Sequence, residues 1–187
     1  MPRKRAKLIS NMTTAASSKL SLARVNAMSP EEFSRSFGAV YEHSPWIAQR
    51  ALARRPFASL AALHTAMRDT VVAATRDEQL ALLRAHPELA GRAAKAGELT
   101  AHSSAEQRGA GLNALSPAEM ARITELNRAH AEKFGFPFII AVRLAAKPVI
   151  LAEFERRLAL NADEEMRLCL EQVFLITGLR LRDLFEE

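Results

Sequence analysis

The chain has 187 residues, 49% of them hydrophobic, enough for one substantial core and too short for two ordinary domains. Its charge of +5 is unevenly spread: Arg3, Lys4, Arg5, Lys7, Lys19 and Arg24 fall in the first 28 residues with no acid among them, leaving 20 basic against 21 acidic side chains on the other 159. A phosphate-binding face needs a basic surplus on the folded body, so nucleic-acid binding by that body is excluded. Cys169 is the only cysteine, which rules out an intramolecular disulfide and a cysteine-rich zinc site and fits a reducing compartment. No run approaches the roughly 20 apolar residues that span a bilayer, so no membrane partner is expected.

Residues 1–28 are expected to form a basic, disordered extension, and 29–187 one helical domain. The start lacks a secretory h-region, and its Arg and Ser content only superficially resembles a transit peptide. From there one helix-start grammar recurs: a Ser, Thr or Asn cap with Glu three residues on, often with Pro at the first helical position. Ser29-Pro30-Glu31-Glu32 opens a helix with Phe33, Phe37, Val40 and Tyr41 on one face. Ser44-Pro45 introduces a helix through Arg54, and Ser59 one through Ala74. Thr75 with Glu78 opens a helix carrying Leu80, Leu83 and Ala85, and Ser103 with Glu106 fits the same box. Ser116-Pro117 with Glu119 begins a helix to Phe134, stopped by Gly135. Phe136 to Val142 is read as a buried extended turn, because a single strand has nothing to pair with and Pro137 lacks a donor. Pro148 introduces a helix to Leu160, and Asn161 with Glu164 opens the last, with Leu168, Leu170, Val173, Ile176, Leu179 and Leu184 as its apolar positions. The pattern predicts an all-α, compact single-domain bundle of seven to nine helices.

Two segments break this grammar while keeping polar groups beside apolar ones. Pro87 disfavours helical geometry at His86, which places the imidazole at a carbonyl-rich helix end, where it suits acid–base chemistry or simple C-capping. In Ser103-Ser104-Ala105-Glu106-Gln107-Arg108-Gly109-Ala110-Gly111, Glu106 reads first as the third residue of a capping box; the glycines suggest a surface that something approaches closely. His102 with Glu106, or His86 with Glu88, supplies only two ligands, too few for a metal site. His43 reads as structural, Trp46 as a core or interface anchor, and His64 and His130 as packing or surface residues. Cys169, inside a helix, reads as a small hydrophobe.

At these residues the sequence resembles the family of 2-oxo-4-hydroxy-4-carboxy-5-ureidoimidazoline (OHCU) decarboxylases. The likeness runs through Phe37-Gly38-Ala39-Val40-Tyr41-Glu42-His43-Ser44-Pro45-Trp46, His86-Pro87-Glu88-Leu89-Ala90-Gly91, Ser103 to Leu112, and Lys133-Phe134-Gly135-Phe136-Pro137-Phe138 with Arg143. It implies a cofactor-free, all-helical homodimer that converts OHCU to (S)-allantoin, the last step from urate. It further implies catalysis by His86 with Glu106, and substrate binding by Pro87, by Ser103, Ser104, Ala105, Glu106 and Gln107, and by Phe138, Ile139, Ile140, Ala141 and Val142, the last stretch largely through backbone groups. Arg143 is expected either to neutralise the substrate carboxylate or to form a structural ion pair. A cytoplasmic bacterial enzyme is the simplest assignment; the C-terminal Phe185-Glu186-Glu187 is not a peroxisomal Ser-Lys-Leu signal. The rival reading is a non-enzymatic helical interaction module with a basic arm.

Overall fold

The computed structural model describes residues 19–186, with the side chain of Lys95 apart. Ten α-helices, and no strand, occur among the described residues: α1 (Leu22–Ala27), α2 (Pro30–Phe37), α3 (Trp46–Ala51), α4 (Leu60–Val72), α5 (Arg76–Arg84), α6 (Arg92–Ala96), α7 (Ala101–Gly109), α8 (Pro117–Phe134), α9 (Lys147–Arg157) and α10 (Ala162–Leu184). This is the all-α bundle expected, with three helices of six residues or fewer added to the longer ones. None is long and apolar enough to cross a membrane.

Local chemistry sets most of the boundaries. Capping boxes start α2 at Ser29, α5 at Thr75, α8 at Ser116 and α10 at Asn161, each Glu side chain returning to the cap N–H; Ser59 caps α4. The fifth expected box is not one. Thr100 caps α7 and accepts from the Ser103 N–H, which frees the Ser103 and Glu106 side chains for partners elsewhere. Ser44 does not cap α3, which starts on the Pro45 backbone without a side-chain bond. No described part of the chain lies close to Gly109 or Gly111, since an added Cβ would meet nothing within 4 Å at either. Gly111 instead takes φ +73°, while Leu112 N–H reaches the Gln107 carbonyl and Gly111 N–H that of Arg108, the double bond of a left-handed helix stop.

The boundary expected at residue 28 is too late. Leu20 bridges Phe185, its N–H donating to the Leu184 carbonyl at 2.8 Å. Ser21 caps α1, and Val25 and Met28 are buried in the core. Asn26 exchanges two hydrogen bonds with the Phe57 backbone. The basic residues misplaced the boundary because the apolar side chains between them dock; residues 1–18 lie outside the described residues.

Two apolar clusters meet along the chain after α8. The larger gathers α1 to α5 and α10; the smaller holds Ile123, Leu126, Ile150 and Phe154 from α8 and α9. Phe136, Ile139 and Ala141 belong to the first, Phe138, Ile140 and Val142 to the second. The extended turn read from the sequence is therefore a two-sided seam. It ends in a 3₁₀ turn, Val142–Leu144, lying against α7.

Candidate active site

The end of α5, one face of α7, the seam and the inner face of α10 enclose a cleft of about 360 Å³, its open mouth included. His86, Pro87, Ser103, Glu106, Gln107, Phe138, Ile139, Ile140 and Val142 line it. Residues 103, 106 and 107 recur on one helical face. Ser104 and Ala105 turn aside, Ser104 accepting from Arg108; Ala141 is buried, its N–H donating to Gln172. Arg143 does not line the cleft: it is exposed and pairs doubly with Asp183 through contacts of 2.5 and 3.2 Å.

His86 sits one residue past the α5 cap, and its Nδ1 lies 2.9 Å from the Leu82 carbonyl oxygen. A carbonyl only accepts, so Nδ1 carries the proton in the neutral ring and Nε2 keeps a lone pair. Nε2 is buried and has no hydrogen-bond partner in the protein. Burial foremost pushes the imidazole below the ordinary histidine range, although the Leu82 carbonyl and the charges of Glu42 and Glu106 oppose the shift. The ring is thus a neutral base in the wall of an apolar-backed cleft.

Glu106 does not touch the imidazole. Its two oxygens are held by Arg180, Nε at 2.9 Å and Nη2 at 2.8 Å. The remaining Arg180 donors reach the Val40 carbonyl, Ser103 Oγ and Glu42. Glu42, 2% exposed, also accepts from Thr100 at 2.6 Å and Ser103 at 3.0 Å. Burial works against its charge, but the Thr100 hydroxyl and the Arg180 guanidinium outweigh it and hold its carboxyl below the usual range. One cation between two carboxylates leaves a net negative charge, which favours a positive imidazole at the moment it accepts a proton. Glu106 therefore makes no orienting bond to His86: the Leu82 carbonyl orients the ring, and the Glu106 charge reaches it only through space. Gln107 braces the loop after His86, accepting from Ala90 N–H at 2.9 Å and donating to the Glu88 carbonyl; Asn127 holds the Leu89 carbonyl. Ala90 itself is at φ +47°.

Glu42 and Arg180 were not singled out as site residues from the sequence. Arg180 follows Val173, Ile176 and Thr177 on the buried stripe of α10, so a cation at an apolar-register position was the available signal. Glu42 is turned inward by a reversal at His43, itself exposed at φ +45°. Among the described residues, no group of three or more His, Cys, Asp or Glu side chains is placed to hold a metal ion. Cys169 is buried, and burial pushes its thiol up to about 12.

A neutral buried base and a carboxylate field beside a largely apolar wall suit acid–base chemistry on a compact polar molecule. The chain belongs to the OHCU decarboxylase family, whose model matches residues 26–182, and so to the carbon–carbon lyases. It is 42% identical over 167 residues to the 2-oxo-4-hydroxy-4-carboxy-5-ureidoimidazoline decarboxylase of Haloferax volcanii, covering 89% of this chain and 97% of that protein. It is 39% identical to the mouse (Mus musculus) protein of the same name, covering 88% and 93%. Its fold resembles the crystal structure of an (S)-allantoin synthase, with TM-score 0.71 and 29% identity over 89% of this chain; the chain spans about half, 54%, of that protein. A crystal structure of OHCU decarboxylase in the presence of (S)-allantoin shares the fold at TM-score 0.64 and 19% identity, over 81% and 99% of the two chains.

Proposed function

We propose that this protein decarboxylates OHCU to (S)-allantoin in the cleft beside His86, without a cofactor. One observation carries the reading: the buried Nε2 of His86 has no partner in the protein, and His86 lines a cleft together with Glu106 and the seam. In OHCU the carboxylate sits on a hydroxyl-bearing ring carbon next to an imine-like carbon. When carbon dioxide leaves, the bonding electrons form a double bond between the two carbons, and the imine nitrogen takes a proton from solvent. The hydroxyl proton then passes to Nε2 and from there to the neighbouring, ureido-bearing carbon. This leaves a carbonyl where the hydroxyl stood and sets the stereocentre from one side.

Glu42 and Glu106 stabilise the imidazolium that exists between those two transfers, and Arg180 holds both carboxylates in place. Backbone groups of Phe138 to Val142 hold the ring amide and ureido groups. The Ser103 hydroxyl and the Gln107 amide already serve Glu42 and the 88–90 loop, so their part is to build the site. The enzyme works as a homodimer in the cytoplasm. The test generates OHCU in situ from urate and follows optical activity. Faster formation of (S)-allantoin than the racemic spontaneous decay supports the assignment, and a racemic product at the background rate refutes it.

A further inference from the structure

Behind the seam, on the side away from the cleft, lies a second buried polar cluster that the chemistry above does not use. His130 on α8 and Glu165 on α10 are both fully buried, and Arg157 on α9 is 2% exposed. Glu165 accepts from His130 Nε2 at 2.8 Å and from Arg157 Nε and Nη2 at 2.8 and 2.6 Å. Cys169 donates a longer contact of 3.4 Å to the same carboxylate. The free ends of both bases then point the same way. His130 Nδ1 reaches the Phe136 carbonyl at 3.0 Å, and Arg157 Nη1 reaches the Ile139 carbonyl at 2.8 Å. A carbonyl and a carboxylate both accept, so each His130 nitrogen faces an acceptor.

We infer that His130, Glu165 and Arg157 form a positioning clamp that fixes the backbone of the seam, and hence its grip on substrate, from behind the cleft. Two carbonyls three residues apart are pinned to one carboxylate, with Ile139 as the second pinned point and Phe138 and Ile140 on either side of it facing the other cluster. Side chains alone do not fix this register, because apolar contacts tolerate sliding whereas hydrogen bonds at two carbonyls do not. Phe138 is further held between Phe154, stacked at 3.9 Å, and the Arg157 guanidinium at 4.5 Å. Every contact lands on the wall and none on His86, so the clamp governs binding rather than the proton transfer. The kinetic part of this inference rests on the OHCU activity proposed above; the structural part does not.

The experiment compares the full chain with His130→Phe, His130→Gln and Arg157→Lys, using OHCU generated in situ and hydrogen exchange of backbone amides. His130→Phe is expected to raise KM at least tenfold, with kcat within about threefold, and to accelerate exchange in residues 136–142 while α4 and α5 stay protected. His130→Gln, able to restore one of the two bonds, recovers part of both. Arg157→Lys, which keeps the charge beside Glu165 and gives up the fork that reaches Ile139, raises KM in the same way and serves if His130→Phe does not fold. A folded variant with parental KM and unchanged exchange in 136–142 would overturn the clamp, as would equal loosening of all helices. If the parental chain fails to consume OHCU, the activity falls and the exchange data alone decide the clamp.

Discussion

Replacing His86 with glutamine separates catalysis from folding, because the structure assigns the two very different magnitudes. The ring makes one hydrogen bond, Nδ1 to the Leu82 carbonyl, and glutamine carries a donor that can replace it. The stability change is then limited to that bond, about 0.5–1.5 kcal/mol, and a small repacking. The rate is another matter, since no other base lines the cleft within reach of the same substrate atoms: Glu106 is bound at both oxygens by Arg180. Loss of general acid–base assistance costs on the order of 10² to 10⁴ in rate, equivalent to about 2.7 to 5.4 kcal/mol of barrier. The assay is polarimetric formation of (S)-allantoin alongside consumption of the intermediate, with thermal unfolding measured on the same sample. A folded His86→Gln protein that yields (S)-allantoin at the parental rate would refute the assignment of Nε2 as the base.

The neutral imidazole is the working form and burial lowers its pKa, so kcat/KM should hold on acidification through 6.5, the ordinary histidine value, and decline only below it. Glu106→Gln removes a charge that raises that pKa, so the acid limb should move further down in pH and the maximal rate should fall; an unmoved limb in a pH–rate profile would contradict action through space. Stability shares the sign: the unfolded chain takes up this proton first, so the His86 contribution is lost as pH drops below 6.5. Deleting residues 1–28 should lower the thermal midpoint markedly, since burying Val25 and Met28 contributes about 1.5–3 kcal/mol each and the Asn26 bonds to Phe57 go too; deleting 1–18 alone should leave turnover unchanged. Exhaustive chelation should not alter the rate, and recovery of lost activity on adding zinc would revive a metal role.

The helices were legible because their starts are written locally. Ser29, Thr75, Ser116 and Asn161 each cap and box as the sequence implies. Ser103 with Glu106 satisfies the same pattern and fails, because Thr100 takes the cap and Arg180, 74 positions away, takes the carboxylate. A local rule has no access to a partner at that distance. Residues 103, 106 and 107 line the cleft together with His86, while 104 and 105 fall off it by helical periodicity alone. Along α10 the predicted apolar positions Leu168 and Leu179 are only half-buried, and the buried face instead runs through Thr177 and Arg180. Polar residues on a buried stripe look like breaks in an apolar pattern until their partners are known. The N-terminal boundary failed for the opposite reason: charge was weighed ahead of Leu20, Leu22, Val25 and Met28, whose spacing already marked a docking face.

The bridge that ties Leu20 to Phe185 gives the domain ends that touch. Its two backbone bonds, Leu20 N–H to Leu184 and Glu186 N–H to Leu20, place entry and exit of the chain side by side, against the Phe37 ring that also stacks on Phe185. The cleft is built from residues 86 to 180 and takes nothing from this junction. A short covalent splice between these ends, with the chain reopened at an exposed loop such as the one preceding α8, should therefore preserve the cleft while inverting the order in which its walls are synthesised.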